Sequence, residues 1–380
     1  MDALVVGAGF AGSVIARFIA EELNKKVVII EKRNHIAGNM YDYIDENGIL
    51  VQKYGPHIFH TNDEEVMNYI KRFADWEDYK LECMVYMNDK FTPSPFNFKT
   101  IDDYFDEYKA KIIKENLLSE YPDRDRATII EMLNSKNEVV KEYANFLFEN
   151  DYSLYTAKQW GISPKEIDIS VLKRVPVLFS YETGYFNDLY QCQPKGGYTK
   201  FFERILDHEN ITVKLNIDAK EVLKVKESKL IYEGKKIDIP VIYTGPIDEL
   251  FNYKYGKLPY RSLKFEFKIL NKDSYQDAPV VAYPQEEGYT RITEYKKLYN
   301  QEITGVTMIG VEYPFLYSEN KQTEPYYPIP NNDNEKLYNK YFEEVSYIKN
   351  LILCGRLAEY KYYNMDQIIK KTLEVCEKLK

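Results

Sequence analysis

The first forty residues constrain the fold most. Leu4, Val5 and Val6 form a short apolar run that leads straight into Gly7-Ala8-Gly9-Phe10-Ala11-Gly12. Ser13 to Leu23 then places Val14, Ile15, Phe18, Ile19 and Leu23 at helical spacing. A second apolar run, Val27 to Ile30, ends at Glu31. Strand, glycine turn, helix, strand and acid in this order are the pattern of a dinucleotide-binding βαβ unit. Gly7 permits the tight turn, Gly9 lets the backbone approach a pyrophosphate, and Gly12 lets helix and strand pack closely. The helix N-terminus offers free N–H groups and a positive dipole end to phosphates. Glu31 lies about twenty residues on, where an acid accepts hydrogen bonds from an adenosine ribose. The competing reading is a purely structural turn in an α/β domain.

A chain of 380 residues is long for one core, so about two or three domains are expected. The net charge of −9 argues against a nucleic-acid partner, which needs a basic face. No apolar run approaches the length of a membrane span. The N-terminus has no basic segment ahead of its apolar run, so no signal peptide is expected. Cys83, Cys192, Cys354 and Cys376 are scattered without a C-x-x-C pair and read as reduced thiols of a cytoplasmic protein. His35, His57, His60 and His208 show no zinc spacing, and no metal is expected. Most of the 36 tyrosines read as amphipathic packing surface. Some cluster with Gly, Arg and Pro, where a site competes.

After Glu31, the loop Lys32 to Asn39 includes Gly38 and suits a pyrophosphate. Asp42 to Val51 reads as a hairpin turning at Asn47-Gly48. Tyr54-Gly55-Pro56-His57-Ile58-Phe59-His60-Thr61 reads either as a loop against a flat ring or as an ordinary satisfied loop. Glu64 to Ala74 is a helix capped by Thr61 or Asn62. Val85 to Phe91 is a hairpin, and Thr100 to about Asn150 has helical periodicity. Trp160 beside Gly161 is a stacking platform or a hinge. Residues 221–243 read as a strand–turn–strand set that rejoins the first sheet. Leu263 to Leu270, Pro279 to Tyr283 and Thr307 to Tyr313 suggest a mostly antiparallel sheet bearing Arg261 and Arg291. Leu337 to Val345 is a helix, Leu351 to Leu353 a strand, and Met365 to Leu379 a closing helix. Gly355-Arg356 is a cofactor contact or a strand-to-helix turn with a surface arginine.

The expected fold is α/β. A discontinuous Rossmann-like FAD-binding domain takes residues 1–80, 207–248 and 332–380. A mostly helical subdomain takes 81–162. An antiparallel sheet domain takes 163–206 and 249–331.

Taken together, the motifs resemble the bacterial UDP-galactopyranose mutases over nearly the full length. The resemblance rests on the glycine turn, Gly55 to Thr61, Tyr155-Thr156, Lys158-Gln159-Trp160-Gly161 and Lys173-Arg174. It rests also on Tyr185-Phe186, Tyr198-Thr199, Tyr260 to Leu263, Thr290-Arg291-Ile292, Pro325 to Pro328, Gly355-Arg356-Leu357 and Tyr360-Lys361-Tyr362. It implies an isomerase that interconverts UDP-galactopyranose and UDP-galactofuranose for cell-surface glycans. The route implied is an adduct between the sugar and N5 of reduced FAD, with no net redox change. The antiparallel sheet domain is then implied to bind substrate and to carry a mobile loop around 165–180. Arg174, on that loop, and Arg291 are expected to hold the diphosphate. Tyr185, Tyr327 and Tyr362 are expected on the same phosphates, and Tyr155, Thr156 and Trp160 near the nucleoside. Phe186 and Asn364 join the implied substrate set, and His60 is expected by the flavin near the sugar. The implied cofactor set is Gly7, Gly9, Phe10, Gly12, Glu31, Lys32, Gly38, Asn39, His57, Ile58, Arg261, Gly355, Arg356 and Tyr362. An external reductant such as NAD(P)H and a homodimer are also implied.

The sequence departs from the family pattern at four places. Asn364 stands where an aspartate is common, and Leu81 where related enzymes carry an asparagine near the substrate. Asp151 and Tyr152 stand where aromatic or small residues are usual, and Ala37 replaces a glycine. These keep dTDP-fucopyranose and UDP-N-acetylgalactosamine open as substrates. A flavin amine oxidase or dehydrogenase and a non-catalytic nucleotide-sugar binder are the other classes.

Overall fold

The computed structural model describes residues 1–161, 175–318, 323–329 and 331–380. Arg174 and the centre of the expected mobile loop lie outside the described residues. A five-stranded parallel sheet runs Ile211–Lys214, Val27–Ile30, Ala3–Val6, Val241–Tyr243, Leu351–Leu353. Its strands come from three distant parts of the chain. They are short apolar runs because both faces are covered. The twofold alternation divides the first strand between two cores. Ala3 and Val5 face one with helices Phe10–Glu21, Tyr198–Leu206 and Met365–Glu377. Leu4 and Val6 face the other with Leu223, Leu230, Ile247 and Tyr341. Each fully buried Val or Ile in these layers contributes about 1.5–3 kcal/mol.

Residues 221–243 do not all join this sheet. Leu223–Lys226, Lys229–Tyr232 and Lys235–Ile237 form a separate antiparallel meander, and only Val241–Tyr243 enters beside the first strand. The meander's apolar side (Leu223, Leu230, Tyr232) covers the sheet, while Lys224, Lys229 and Lys235 face solvent.

The second large sheet has seven strands, in the order Tyr327–Pro328, Tyr260–Leu270, Thr307–Leu316, Arg291–Glu294, Val280–Ala282, Cys83–Met87, Lys90–Ser94. The hairpin Cys83–Ser94 was expected with the helices. Instead it enters this sheet, its first strand lying parallel to Val280–Ala282. The segment Tyr190–Leu206 likewise departs from the expected substrate domain. Tyr190–Pro194 pairs with Phe59–Thr61 and Trp76–Asp78. Tyr198, Phe201, Phe202 and Ile205 pack under the glycine-turn helix.

The helices Phe98–Tyr104, Glu107–Glu120, Ile129–Leu133 and Glu138–Leu147 share a third core around Ile113, Leu117 and Tyr143. Glu138–Leu147 continues through a π-helical turn, Phe148–Tyr152, into Ser153–Trp160. The helix Glu64–Lys71 is capped by Asp63, not Thr61 or Asn62. Asp63 accepts from the Val66 N–H, while Thr61 Oγ1 accepts from the Asp63 N–H. No described helix is long and apolar enough to cross a membrane.

Candidate active site

The site is built first on the glycine turn. Gly7 has φ +99°, and a Cβ there would lie 2.2 Å from Thr244 Oγ1. A Cβ on Gly12 would lie 1.9 Å from the Gly7 carbonyl oxygen. Both positions therefore need glycine for the fold itself. Gly9 differs, because a Cβ there would meet nothing closer than Gly38 Cα at 3.8 Å. It caps the helix Phe10–Glu21 with no side chain on the first helical N–H groups. Gly38 faces it, with φ +55° and its own Cβ position 3.0 Å from Gly9 Cα. Ala37 takes φ +73°, in the left-handed region that favours glycine. The result is a bare backbone cradle at a helix N-terminus, which suits a pyrophosphate.

Glu31 is buried and already engaged. Its Oε2 accepts from the Ala8 N–H at 2.9 Å and its Oε1 from the Arg33 N–H at 2.9 Å. The acid thus ties the turn to the end of the second strand, and a ribose would share its remaining lone pairs. Lys32 pairs with Glu324 at 2.7 Å. Arg33 pairs with Glu324 at 3.2 Å, reaches Asn39 Oδ1 at 3.0 Å and lies over the Tyr54 ring at 4.4 Å. Gly9, Phe10, Asn39, Gly355, Arg356 and Asn364 line one cleft. Gly355, at φ +119°, donates its N–H to Glu359 at 2.9 Å. The Asn364 N–H is taken by Gln367 at the start of the closing helix.

Beside this cleft stands a cluster of cations and phenols. Arg291 lies opposite Glu312 on the neighbouring antiparallel strand. Its Nε and Nη2 lie 2.8 and 2.7 Å from Glu312 Oε2. The Glu312 carboxylate holds the Arg291 guanidinium charged despite burial, with Tyr155 and Tyr327 near it. The Arg356 guanidinium carbon is 5.0 Å from the Tyr327 ring and 4.8 Å from the Tyr362 ring. Its Nη2 donates to the Tyr363 carbonyl at 2.6 Å. Burial raises the Tyr155 and Tyr327 phenols, so they stay protonated donors. Burial, with Arg356 and Arg291 nearby, pushes His57 down to about 3, so the ring is neutral. Its Nδ1 lies 2.8 Å from the Gly55 carbonyl oxygen. Two fixed guanidiniums among phenolic donors form a receptor for a multiply charged, oxygen-rich anion.

Other expected residues fall around this cluster. His60 stacks on Phe186, with ring centroids 3.8 Å apart and 15° between planes. Tyr185 meets Phe186 edge-on and lies near Tyr155. Thr156 and Trp160 are half-buried on the helix that carries Tyr155. Arg261 caps the end of that helix, donating to the Gln159 carbonyl at 2.8 Å and the Lys158 carbonyl at 3.3 Å. Gly161, at φ +67°, leaves room for this, since a Cβ would lie 2.6 Å from Arg261 Nη1. Ile58 and Leu81 are both buried in one apolar core, so Leu81 is a packing residue. Asp151 is buried in the π-helical turn, and burial pushes its carboxyl up to about 7.

Two partners of the expected residues do not stand out in the sequence: Glu312 beside Arg291, and Asp188, whose Oδ2 lies 2.8 Å from His60 Nδ1. Glu312 was hidden in a strand as a lone acid among apolar residues, and Asp188 in a short polar loop. An acid at an inward-facing strand position, beside Val311 and Gly310, was the one available signal for Glu312.

A sequence profile of UDP-galactopyranose mutase matches residues 150–362, which hold Tyr155, Arg291, Glu312, Tyr327 and Arg356. A UDP-galactopyranose mutase of Mycoplasma genitalium is 37% identical over all of this chain and 94% of that protein. The chain belongs to the UDP-galactopyranose mutase family. A profile of NAD(P)-binding Rossmann-like domains matches residues 5–73, which hold the glycine turn, its helix and the strand Val27–Ile30. Within the same range of similarity, a dTDP-fucopyranose mutase of Escherichia coli is 36% identical over 98% of this chain and 97% of that protein. The fold of a crystal structure of reduced UDP-galactopyranose mutase superposes with a TM-score of 0.74 at 16% identity, covering 100% of this chain and 93% of that one. Putrescine oxidase shares the fold at a TM-score of 0.57 and 11% identity, over 100% of this chain and 98% of that one.

Proposed function

We propose that this chain is a flavin-dependent mutase that interconverts the pyranose and furanose forms of a nucleotide-linked hexose, with UDP-galactose as the leading substrate. One observation carries the reading: two fixed guanidiniums and a set of protonated phenols converge beside the cofactor cleft. A generic flavin oxidase of amines has no use for a diphosphate receptor at that place. Family membership and the mutase names of the relatives support it.

The bare cradle fits FAD. Gly9, Gly38, Asn39 and the helix N-terminus would hold the pyrophosphate, with Gly7 and Gly12 shaping the turn. Glu31 and Lys32 would meet the adenosine half. Gly355, Arg356, His57 and Ile58 would line the flavin half, with Arg261 and Tyr362 near it. Bound and reduced, FAD supplies the nucleophile that makes a redox-neutral exchange possible. The chain's own residues then bind, orient and exclude water. Arg291 is held at a fixed angle by Glu312 and meets the diphosphate with no reorganisation on binding. Tyr155, Tyr327, Tyr362 and Tyr185 donate phenolic hydrogens to the same group. Arg174 completes the set in this reading. Trp160, Thr156 and Phe186 flank the nucleoside and sugar, and Asn364 the sugar side. Neutral His57 adds no charge between the two cations. His60 sits at the sugar. An external reductant such as NAD(P)H, a homodimeric assembly and a cytoplasmic setting belong to the same proposal.

The near-equal identity to a dTDP-fucopyranose mutase favours one second reading, the same reaction on dTDP-fucose. The test is binding of UDP and dTDP to the flavin-loaded protein and to its Arg291→Ala variant. The reading expects a loss of about tenfold or more in the variant. Unchanged affinity would remove the cluster as the diphosphate site.

A further inference from the structure

We propose that Asp188 is a positioning residue that fixes the tautomer of His60 and so decides what that ring offers the sugar. The inference deepens the mutase reading and rests on it for the identity of the ligand. His60 lies on the strand Phe59–Thr61, paired antiparallel with Tyr190–Pro194, so that His60 stands opposite Gln191. This pairing brings the preceding loop back over the histidine. Asp188 Oδ2 lies 2.8 Å from His60 Nδ1. The other oxygen, Oδ1, accepts from the Asn62 side-chain amide at 3.0 Å. Asn62 is held in turn, because its Oδ1 accepts from the Leu189 N–H at 2.7 Å. Phe186 covers one face of the imidazole. Two residues of one short loop, Phe186 and Asp188, thus fix the ring in angle and hydrogen bonding, while Asn62 and the Leu189 N–H hold the carboxylate.

A carboxylate can only accept. In the neutral imidazole, Nδ1 therefore carries the hydrogen and Nε2 carries the lone pair. Among the described residues, Nε2 has no hydrogen-bond partner. It is the free nitrogen of a ring whose side chain is 17% exposed. In that neutral state the ring presents an acceptor at Nε2 rather than a donor. Its ligand is a hydroxyl hydrogen, the group in which a hexose is rich. Without the carboxylate, the ring is free to take the opposite tautomer and present an N–H instead.

The experiment uses flavin-loaded protein labelled with 15N in histidine. The chain has only four histidines, and His60→Gln assigns the signal. The expected spectrum shows His60 with a protonated Nδ1 and an unprotonated Nε2, and Asp188→Ala shifts it toward the opposite tautomer. In turnover, Asp188→Asn keeps its flavin and lowers kcat by about tenfold or more, with KM little changed. Asp188→Glu restores part of kcat. An N–H on Nε2 in the unmodified protein would overturn the proposal, as would wild-type kcat in Asp188→Asn. The tautomer is read without turnover. A protein that holds the expected tautomer and isomerises no nucleotide sugar would refute the mutase reading and leave the Asp188–His60 assignment standing.

Discussion

Arg291 and Glu312 face each other across neighbouring antiparallel strands, joined by two contacts to a single carboxylate oxygen. Glu312 is almost fully buried, so neither partner is replaceable in isolation. Glu312 orients the guanidinium, and the pair also holds the sheet together beneath the site. Arg291→Ala should therefore do two things. It should weaken diphosphate binding about tenfold or more and lower stability by about 3 kcal/mol, because a buried carboxylate is left unpaired. Urea unfolding and nucleotide titration check both. A variant that loses binding without losing stability would separate the two roles.

The glycines of the first turn should separate in the same way. Gly12→Ala places a Cβ 1.9 Å from a backbone oxygen and should prevent stable folding. Gly9→Ala meets only an ordinary contact in the protein at 3.8 Å. It should fold and lose flavin, because the methyl enters the cradle. The flavin absorbance per protein and the urea midpoint decide this. Equal behaviour of the two variants would contradict the division.

His57 should make the protein acid-sensitive. Its folded-state value is pushed down from 6.5 to about 3, so the unfolded chain binds the proton first. Its contribution is complete above about pH 6.5 and is lost as the pH falls toward 3. At pH 5.5 the loss amounts to about 1.4 kcal/mol. His35, pushed down to about 4 mainly by burial, adds to it. Raised carboxyls such as Glu249, at about 7, act in the opposite sense. The measurement is therefore the difference between wild type and His57→Gln in urea unfolding at pH 7.5 and pH 5.5. The gap should narrow or reverse on acidification. A gap independent of pH would show that His57 does not titrate between the two states.

The sequence made the first core legible because its signals are local. Glycine spacing, apolar runs and Glu31 all fall within forty residues, and each has a steric or electrostatic reason. The return of Val241–Tyr243 and Leu351–Leu353 to that sheet was readable from short apolar runs before glycine turns. Long-range pairing was not. Nothing in Cys83–Met87 names Val280–Ala282 as its neighbour, so the hairpin was assigned to the helices that follow it. The amphipathic helix Tyr198–Leu206 shows an apolar face and not which core receives it. The π-helical turn at Phe148–Tyr152 arises from packing rather than from residue type. In the site, arginines and tyrosines in short motifs stood out. Glu312 beside Arg291 and Asp188 beside His60 did not, because a lone acid in a strand or loop reads as a solvent-facing residue until its neighbour is known.

The central claim is isomerisation without net redox change, and anaerobic turnover tests it most directly. Protein with verified bound flavin is reduced with dithionite and given UDP-galactose, dTDP-fucose and UDP-N-acetylgalactosamine, each also as the furanose where available, with chromatography of the products. The account predicts interconversion of one pyranose–furanose pair by the reduced protein, none by the oxidised protein, and no oxidised sugar. Stoichiometric oxidation of a substrate with peroxide formation in air, and no furanose from any of the three, would contradict it.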